Sequence, residues 1–410
     1  MRAVIGVVAV LGMGTAGAAG LDPVKGAIGE TRLIADARLR SEIVDQEPFG
    51  EDASALTLRL RLGFETGKAW NTALLVEGDG IVPLREHYNS TTNGRTAFPV
   101  VADPEGYEFN RLQLTNTSIV DTTLTLGRQR IILDDHRFVG NVGWRQNEQT
   151  FDGLRVVNKH IAKTTIDLSY LNQVNRIFGP RGLPGANNGR LTGDFVLANM
   201  AYQTGIGKLT GFGYFLDFDP STGPLTEDTR TLGLRLAGDK PLAKIRLAYT
   251  LSWATQQDSG NNPLDFSNDY YFAALTGSYR NYSLGGGYEV LQGDGIKGFS
   301  TPLATLHKFA GWADKFLGTP VNGLADAYLE AGYQKKGVGP LDTLALLTSW
   351  HSFNSERGST YYGRELDAQL QGKYRRFTGI VKYADYNAAG TALPGARDTS
   401  KLWVEVDYTW

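Results

Sequence analysis

Arginine is the side chain whose placement in this 410-residue chain most invites a chemical reading. Arg38, Arg40, Arg59, Arg61, Arg155, Arg235 and Arg246 all fall on the polar positions of alternating segments. A guanidinium stays charged at any working pH and offers carboxylates or sulfates a planar, bidentate fork. A row of them facing water would attract anions. Acids share the same side, among them Asp36, Glu42, Glu289, Glu330, Glu365, Asp367 and Glu405. Two readings stay open: an anion-selective track, or cross-strand pairs that brace a wall and set its width. The mixture argues for mild selectivity rather than a strong field.

Other reactive side chains form weaker patterns. The five histidines, His87, His136, His160, His307 and His351, have no ligand spacing, and with no cysteine there is no thiolate site or nucleophile. Asp134, Asp135 and His136 cluster, as do Asp217, Asp219 and Asp228. Either group could hold calcium, but the simpler reading is loop acids in water. Ser349 and His351 share parity on one segment, yet no third orienting residue or oxyanion motif accompanies them. No catalytic residue, resident metal or cofactor is expected. A formal charge of -2 supplies no counterion-release drive toward nucleic acid.

The elements that must carry these residues have period two. Leu56, Leu58, Leu60, Leu62 and Phe64 alternate with Thr57, Arg59, Arg61 and Glu65, and Leu402, Val404, Val406, Tyr408 and Trp410 alternate with Lys401, Glu405, Asp407 and Thr409. The pattern recurs about eighteen times, in runs of roughly ten residues, the length a tilted strand needs to cross a bilayer. Links alternate between short, such as 66–68, 205–207, 238–241, 336–340 and 374–375, and long, at 79–107, 131–150, 174–194 and 292–323. An arginine facing lipid at mid-membrane costs about 2–4 kcal/mol, so the charged face must line water. Trp70, Trp253, Tyr333, Tyr383 and Trp410 suit interfacial girdles. The fold class is therefore all-β: a transmembrane antiparallel barrel of about eighteen strands with short periplasmic turns and long extracellular loops.

The ends fit export to a Gram-negative outer membrane. Met1-Arg2, an apolar run over 3–14 and small residues over 15–20 form a signal peptide cleaved near Ala18 or Ala19. Residues 1–19 are read as the signal and 20–410 as one barrel domain. Tyr408 and Trp410 end an alternating strand in the position that barrel-assembly machinery reads, although phenylalanine is the usual last residue.

One stretch resembles the alginate-export family of outer-membrane porins. It runs Leu126-Gly127-Arg128-Gln129-Arg130-Ile131-Ile132-Leu133-Asp134-Asp135-His136-Arg137-Phe138-Val139-Gly140, then Val142-Gly143-Trp144-Arg145-Gln146-Asn147 and Gln149-Thr150-Phe151-Asp152. A second similar block is Thr301-Pro302-Leu303-Ala304-Thr305-Leu306-His307-Lys308-Phe309-Ala310-Gly311-Trp312-Ala313-Asp314-Lys315-Phe316. The resemblance implies an eighteen-stranded monomer with an arginine-rich lumen passing an anionic polyuronate, and the seven arginines named above match that pattern. The long gating turn of the alginate exporters has no counterpart among the short links.

Segment 131–150 is unusually apolar for an outer loop. Folding inward would bury it and narrow the pore, with Asp134, Asp135, His136, Arg137, Trp144 and Arg145 as constriction candidates; packing over the mouth is the alternative. Segment 302–316 could form a short helix with Leu306, Phe309, Ala310 and Phe316 near one side. The leading functional expectation is a passive outer-membrane channel for small or linear anionic solutes, including alginate-like saccharides. The alternative is a general diffusion porin with weak charge selectivity; a barrel lipid hydrolase is the remote third. Expected partners are membrane lipid and lipopolysaccharide, an anionic saccharide or other small solute, and the assembly machinery, with the chain as a monomer.

Overall fold

Branched and aromatic residues at every second position form ladders whose two faces differ completely in polarity. The computed structural model describes residues 22–390, 393 and 395–410, so the signal peptide assigned to 1–19 lies outside the described residues. Eighteen strands follow a short helix, α1 (Asp22–Gly29). They are β1 (Arg32–Gln46), β2 (Ala53–Glu65), β3 (Thr72–His87), β4 (Gly106–Asn116), β5 (Thr122–Gln129) and β6 (Thr150–Asn158). Next come β7 (Thr164–Asn175), β8 (Arg190–Gln203), β9 (Lys208–Phe218), β10 (Thr229–Leu242), β11 (Ile245–Asp258) and β12 (Ser267–Tyr279). The last are β13 (Tyr282–Leu291), β14 (Leu324–Val338), β15 (Leu341–Asn354), β16 (Tyr361–Tyr374), β17 (Phe377–Ala388) and β18 (Thr399–Thr409).

Each strand pairs antiparallel with its sequence neighbours, and β1 pairs with both β2 and β18, which closes the sheet. Closure leaves no unpaired edge and satisfies every ladder hydrogen bond without water. Register explains the two faces. Leu39 lies opposite both Val406 and Leu58, and Leu58 opposite Val82, an apolar row on the outside. One residue back, Arg38 lies opposite Asp407 and Arg59, on the inside. The exposed Leu60, Leu62, Leu234, Leu284, Leu329 and Val406 belong to the outer face. This is a closed 18-stranded antiparallel barrel whose lipid-compatible exterior places it in the outer membrane.

Several boundaries differ from the sequence reading: β8 starts at Arg190, so the loop read as 174–194 is 176–189, and Tyr374, read as a turn residue, ends β16. Strand β3 runs on to His87, because Glu77 and Asp79 continue the alternation into the lumen although Gly78, Gly80 and Pro83 read as a loop. The following loop is consequently 88–105, not 79–107. Strands β10 and β14 likewise absorb residues read as links, with Pro241 paired opposite Arg246. Helix α1 carries no alternation signal and was not foreseen; the Gly67 N–H donates to its Ala27 carbonyl at 2.9 Å.

The lumen is not symmetric. Phe195 and Leu197 of β8, Phe212, Tyr214 and Leu216 of β9 and Tyr270 of β12 point inward on one flank. Charged residues from β16 through β4 line the other. Two loops, 130–149 and 292–323, fill the space between, and Ile131, Leu133, Val139, Phe299 and Leu303 are buried there.

Candidate functional site

The first loop leaves β5, crosses the lumen and returns. On the far wall the Asp134 carboxylate accepts from Lys208 Nζ of β9 at 2.8 Å and from Asn199 of β8 at 3.2 Å. Asp135 accepts from Arg235 Nη2 of β10 at 2.9 Å. The Arg137 guanidinium, buried, donates from Nε to Glu289 of β13 at 2.7 Å and from Nη1 to Thr301 at 3.1 Å. Phe138 packs against Phe212, Tyr270 and Phe299 with ring centroids 4.9, 5.3 and 6.1 Å away. The loop then returns, and Arg145 Nη1 donates to Glu42 of β1 at 3.0 Å. Gln146 donates to the Thr57 hydroxyl of β2 at 2.8 Å. Glu148 accepts from Asn110 of β4 at 2.6 Å and from Arg130 Nε at 2.8 Å. Burial alone would raise the Glu148 carboxyl, but Arg61 and Arg130 hold it down at about 2. Inward folding, rather than packing over the mouth, is what buries Ile131, Leu133 and Val139, while Ile132 stays exposed.

The second loop is stitched to the first. Val139 and Leu303 form a parallel bridge, and the Leu303 carbonyl accepts from the Gly140 N–H and from Gln149 Nε2, both at 2.9 Å. A Cβ at Gly140 would stand 2.3 Å from Thr305 Oγ1, so this crossing needs a bare backbone. The short helix expected over 302–316 is reduced to one 3-10 turn at Leu306–Lys308, because the backbone around it is committed to neighbours. Ala313 N–H donates to Glu365 of β16 at 2.6 Å.

Both loops meet the wall around His307. Its ring stacks on Trp144 of the first loop at 4.6 Å and 4° between planes. Nδ1 lies 2.7 Å from Asp314, and Nε2 lies 2.7 Å from Lys382 Nζ of β17. The Asp314 carboxylate can only accept, so Nδ1 carries the proton toward it and Nε2 accepts from Lys382. The Lys382 ammonium also sits over the rings of Trp312 at 3.6 Å, Trp144 at 4.1 Å and Trp403 at 5.6 Å. Burial holds His307 down at about 3, and Lys382 and Arg145 reinforce that against Asp314. The imidazole is neutral at working pH. Burial would raise Asp314, but His307, Lys401 and Arg145 hold it well below the ordinary carboxylate range.

Each arginine singled out in the sequence has found a carboxylate. Arg38 pairs with Asp407 at 2.7 Å, Arg40 Nε with Glu405 at 2.6 Å, and Arg59 with Asp36. Arg61 reaches Asp79 at 3.0 Å and Glu148 at 3.4 Å. Arg155 makes two bonds to Asp167, at 2.9 and 2.6 Å. Arg235 holds Asp135, and Arg246, at the exposed periplasmic end of β11, holds Asp239 at 2.8 Å. Arg40, Arg59 and Arg61 are buried behind the first loop, with the Arg40 guanidinium 4.1 Å over the Trp144 ring. A wall built of such pairs projects little net field into the passage.

Other sequence candidates are resolved by their contacts. Asp134 and Asp135 are ion-paired anchors rather than solvated loop acids. Ser349 Oγ donates to Asp367 at 3.4 Å, while His351 Nδ1 lies 2.9 Å from Asp326, so the hydroxyl is turned to a carboxylate and not to the imidazole. Asp228 accepts from the Phe218 N–H at 2.8 Å, tying a loop base. Tyr408 points outward against Phe377, and the Trp410 N–H donates to Ala35 at 3.0 Å across the closing seam.

Solved structures share this architecture. OccK11 (OpdR) of Pseudomonas aeruginosa aligns with a TM-score of 0.67 at 17% identity, over 94% of this chain and 97% of that one. OpdO of the same organism gives 0.69 at 13% identity over 94% and 99%. OccAB3 of Acinetobacter baumannii gives 0.68 at 14% over 92% and 99%. The fold is that of the Occ and Opd outer-membrane porins. No family model and no curated protein sequence matches the chain. The resemblance to the alginate-export family is thereby corrected: the barrel's structural counterparts are the Occ and Opd porins. The two blocks that carried the resemblance are the two plug loops, whose mixture of apolar, charged and glycine residues is what packing inside a lumen demands.

Sequence reading missed Lys382, Trp403 and Glu42 as wall partners of the loops, and Asp314 and Trp312 as the second loop's own contacts to His307 and Lys382. Lys382 had one available signal, its inward parity on β17 among Ala384 and Tyr386. His307 offered none, because its partner Lys382 lies 75 residues away in the chain.

Proposed function

We propose that the protein is a passive outer-membrane channel for small solutes with weak charge preference, its opening set by the two inward loops. The supporting observation is the pairing of Arg38, Arg40, Arg59, Arg61, Arg155, Arg235 and Arg246 with carboxylates, which converts a basic lumen into a nearly neutral one. Transport through such a passage discriminates by size before charge. The test is the reversal potential in planar bilayers under a salt gradient. Near-equal permeability to potassium and chloride is expected; a strongly anion-selective potential refutes the reading.

A second reading, uptake of small carboxylates, draws on one group. Lys308 is exposed on the plug, and among the described residues its ammonium donates only to the Asp135 carbonyl, at 2.9 Å, with no carboxylate in ion-pair range. One structural neighbour, OpdK of Pseudomonas aeruginosa, was solved with vanillate. Liposome entry of an aromatic carboxylate faster than a neutral analogue of equal size supports this reading, and equal rates remove it.

A further inference from the structure

The periplasmic ends of three consecutive hairpins carry a charge pattern that the channel does not use. The turns β12–β13, β14–β15 and β16–β17 are two residues each at 280–281, 339–340 and 375–376. Arg280, Arg375 and Arg376 occupy the first and last of these turns, and Lys335 stands on the outer face of β14, opposite Leu344. All four are exposed. None meets a carboxylate within 4.0 Å among the described residues. The acid at these strand ends, Asp342, is engaged by the backbone N–H of Arg375 at 2.6 Å.

Their direction is set by aromatic rings. The Arg280 guanidinium lies 5.2 Å over Tyr279, Arg375 5.1 Å over Tyr374, and Arg376 5.5 Å over Trp410. Those rings point outward, in line with the Tyr282–Tyr333 and Phe377–Tyr408 contacts at 5.1 and 5.0 Å. Such a belt marks the level at which hydrocarbon gives way to headgroups. The cations therefore sit beside the membrane, at headgroup depth, and not over the pore. Toward the opposite rim the outer face is mixed, with Asp194, Asp217, Asp269 and Asp385 beside Arg230 and Arg364.

We propose that this rim is a binding surface for anionic phospholipid headgroups of the periplasmic leaflet, phosphatidylglycerol or cardiolipin in chemistry. Guanidinium forks hold phosphate oxygens bidentately, and an aromatic belt beneath them seats the glycerol and upper acyl chains. Basic residues near an anionic lipid surface add together and are weakened by salt. The inference rests on the outer-membrane placement and is independent of what the channel passes.

The test is native mass spectrometry of the full barrel in micelles containing equal phosphatidylglycerol and phosphatidylcholine. Wild type should retain phosphatidylglycerol preferentially, and raised salt should erode the preference. The variant Arg280→Gln, Lys335→Gln, Arg375→Gln, Arg376→Gln should lose about tenfold of it while its single-channel conductance stays unchanged, which separates this inference from the channel reading. Should that variant fail to assemble, Arg280→Gln with Lys335→Gln leaves the Trp410 contact intact and should show a partial loss. Equal retention of the two lipids by wild type, or an undiminished preference in either variant, overturns the proposal. So does cosedimentation with peptidoglycan that depends on these residues in a protein showing no lipid preference.

Discussion

Mild acid should loosen the plug, and His307 is the reason. In place, its imidazole is neutral with its pKa held at about 3; swung out into water it returns to its ordinary value of 6.5. Between those values the open state binds a proton that the closed state refuses, so the closed state loses stability as pH falls below 6.5. At pH 5 the gap is one and a half units, about 2 kcal/mol at ~1.4 kcal/mol per unit, or about a thirtyfold shift toward the open arrangement. The facing groups do not cancel this. Asp314 is itself held low and loses its stabilising contribution further down the scale, in the same direction, and in the closed state the Lys382 N–H donated to Nε2 already occupies the lone pair an added proton would need. Single-channel recording from pH 7 to pH 4 should show larger or more frequent open events as acid is added. His307→Gln keeps a donor and an acceptor but takes no proton, and its profile should be flat between pH 7 and pH 5. Identical profiles for wild type and His307→Gln would refute the argument.

Three further outcomes follow from the same contacts. Arg137→Ala leaves the buried Glu289 with the Tyr270 hydroxyl but without its cation, which should cost loop closure about 3 kcal/mol and raise conductance without changing barrel assembly. Arg61→Ala strands Asp79 and leaves Glu148 to Arg130 alone; the reversal potential should move toward cation preference and the heat needed to unfold the barrel in detergent should fall. Deleting Trp410 removes the strand-closing bond to Ala35, and the yield of folded barrel in outer membranes should drop several-fold; an unchanged yield would discredit Tyr408 and Trp410 as an assembly signal.

Much of the wall was legible in the residues. The leucines of β2 and the valines of β18 alternate with charges, and burial costs leave one way to orient them. The inward course of segment 131–150 was also legible, since Ile131, Leu133, Val139 and Trp144 have no reason to stand in water. What could not be read was the pairing. Arg38 and Asp407 are 369 positions apart, and only the shear with which β1 meets β18 makes them opposites. Alternation states which side a charge faces and says nothing about its neighbour along the circumference. That is why the sequence left an anion track and cross-strand pairs both open, and only the register shows which carboxylate each arginine meets. Strand ends were misjudged for a related reason: Gly78, Gly80 and Pro83 carry loop chemistry, yet ladder bonds to β2 and β4 hold them in place.

The stitch at Leu303 has one more implication. A carbonyl that receives Gly140 and Gln149 together cannot be vacated by half of the plug. Current traces should therefore step between two levels, with no intermediate plateau, as expected of a single hinged shutter assembled from two pieces of chain.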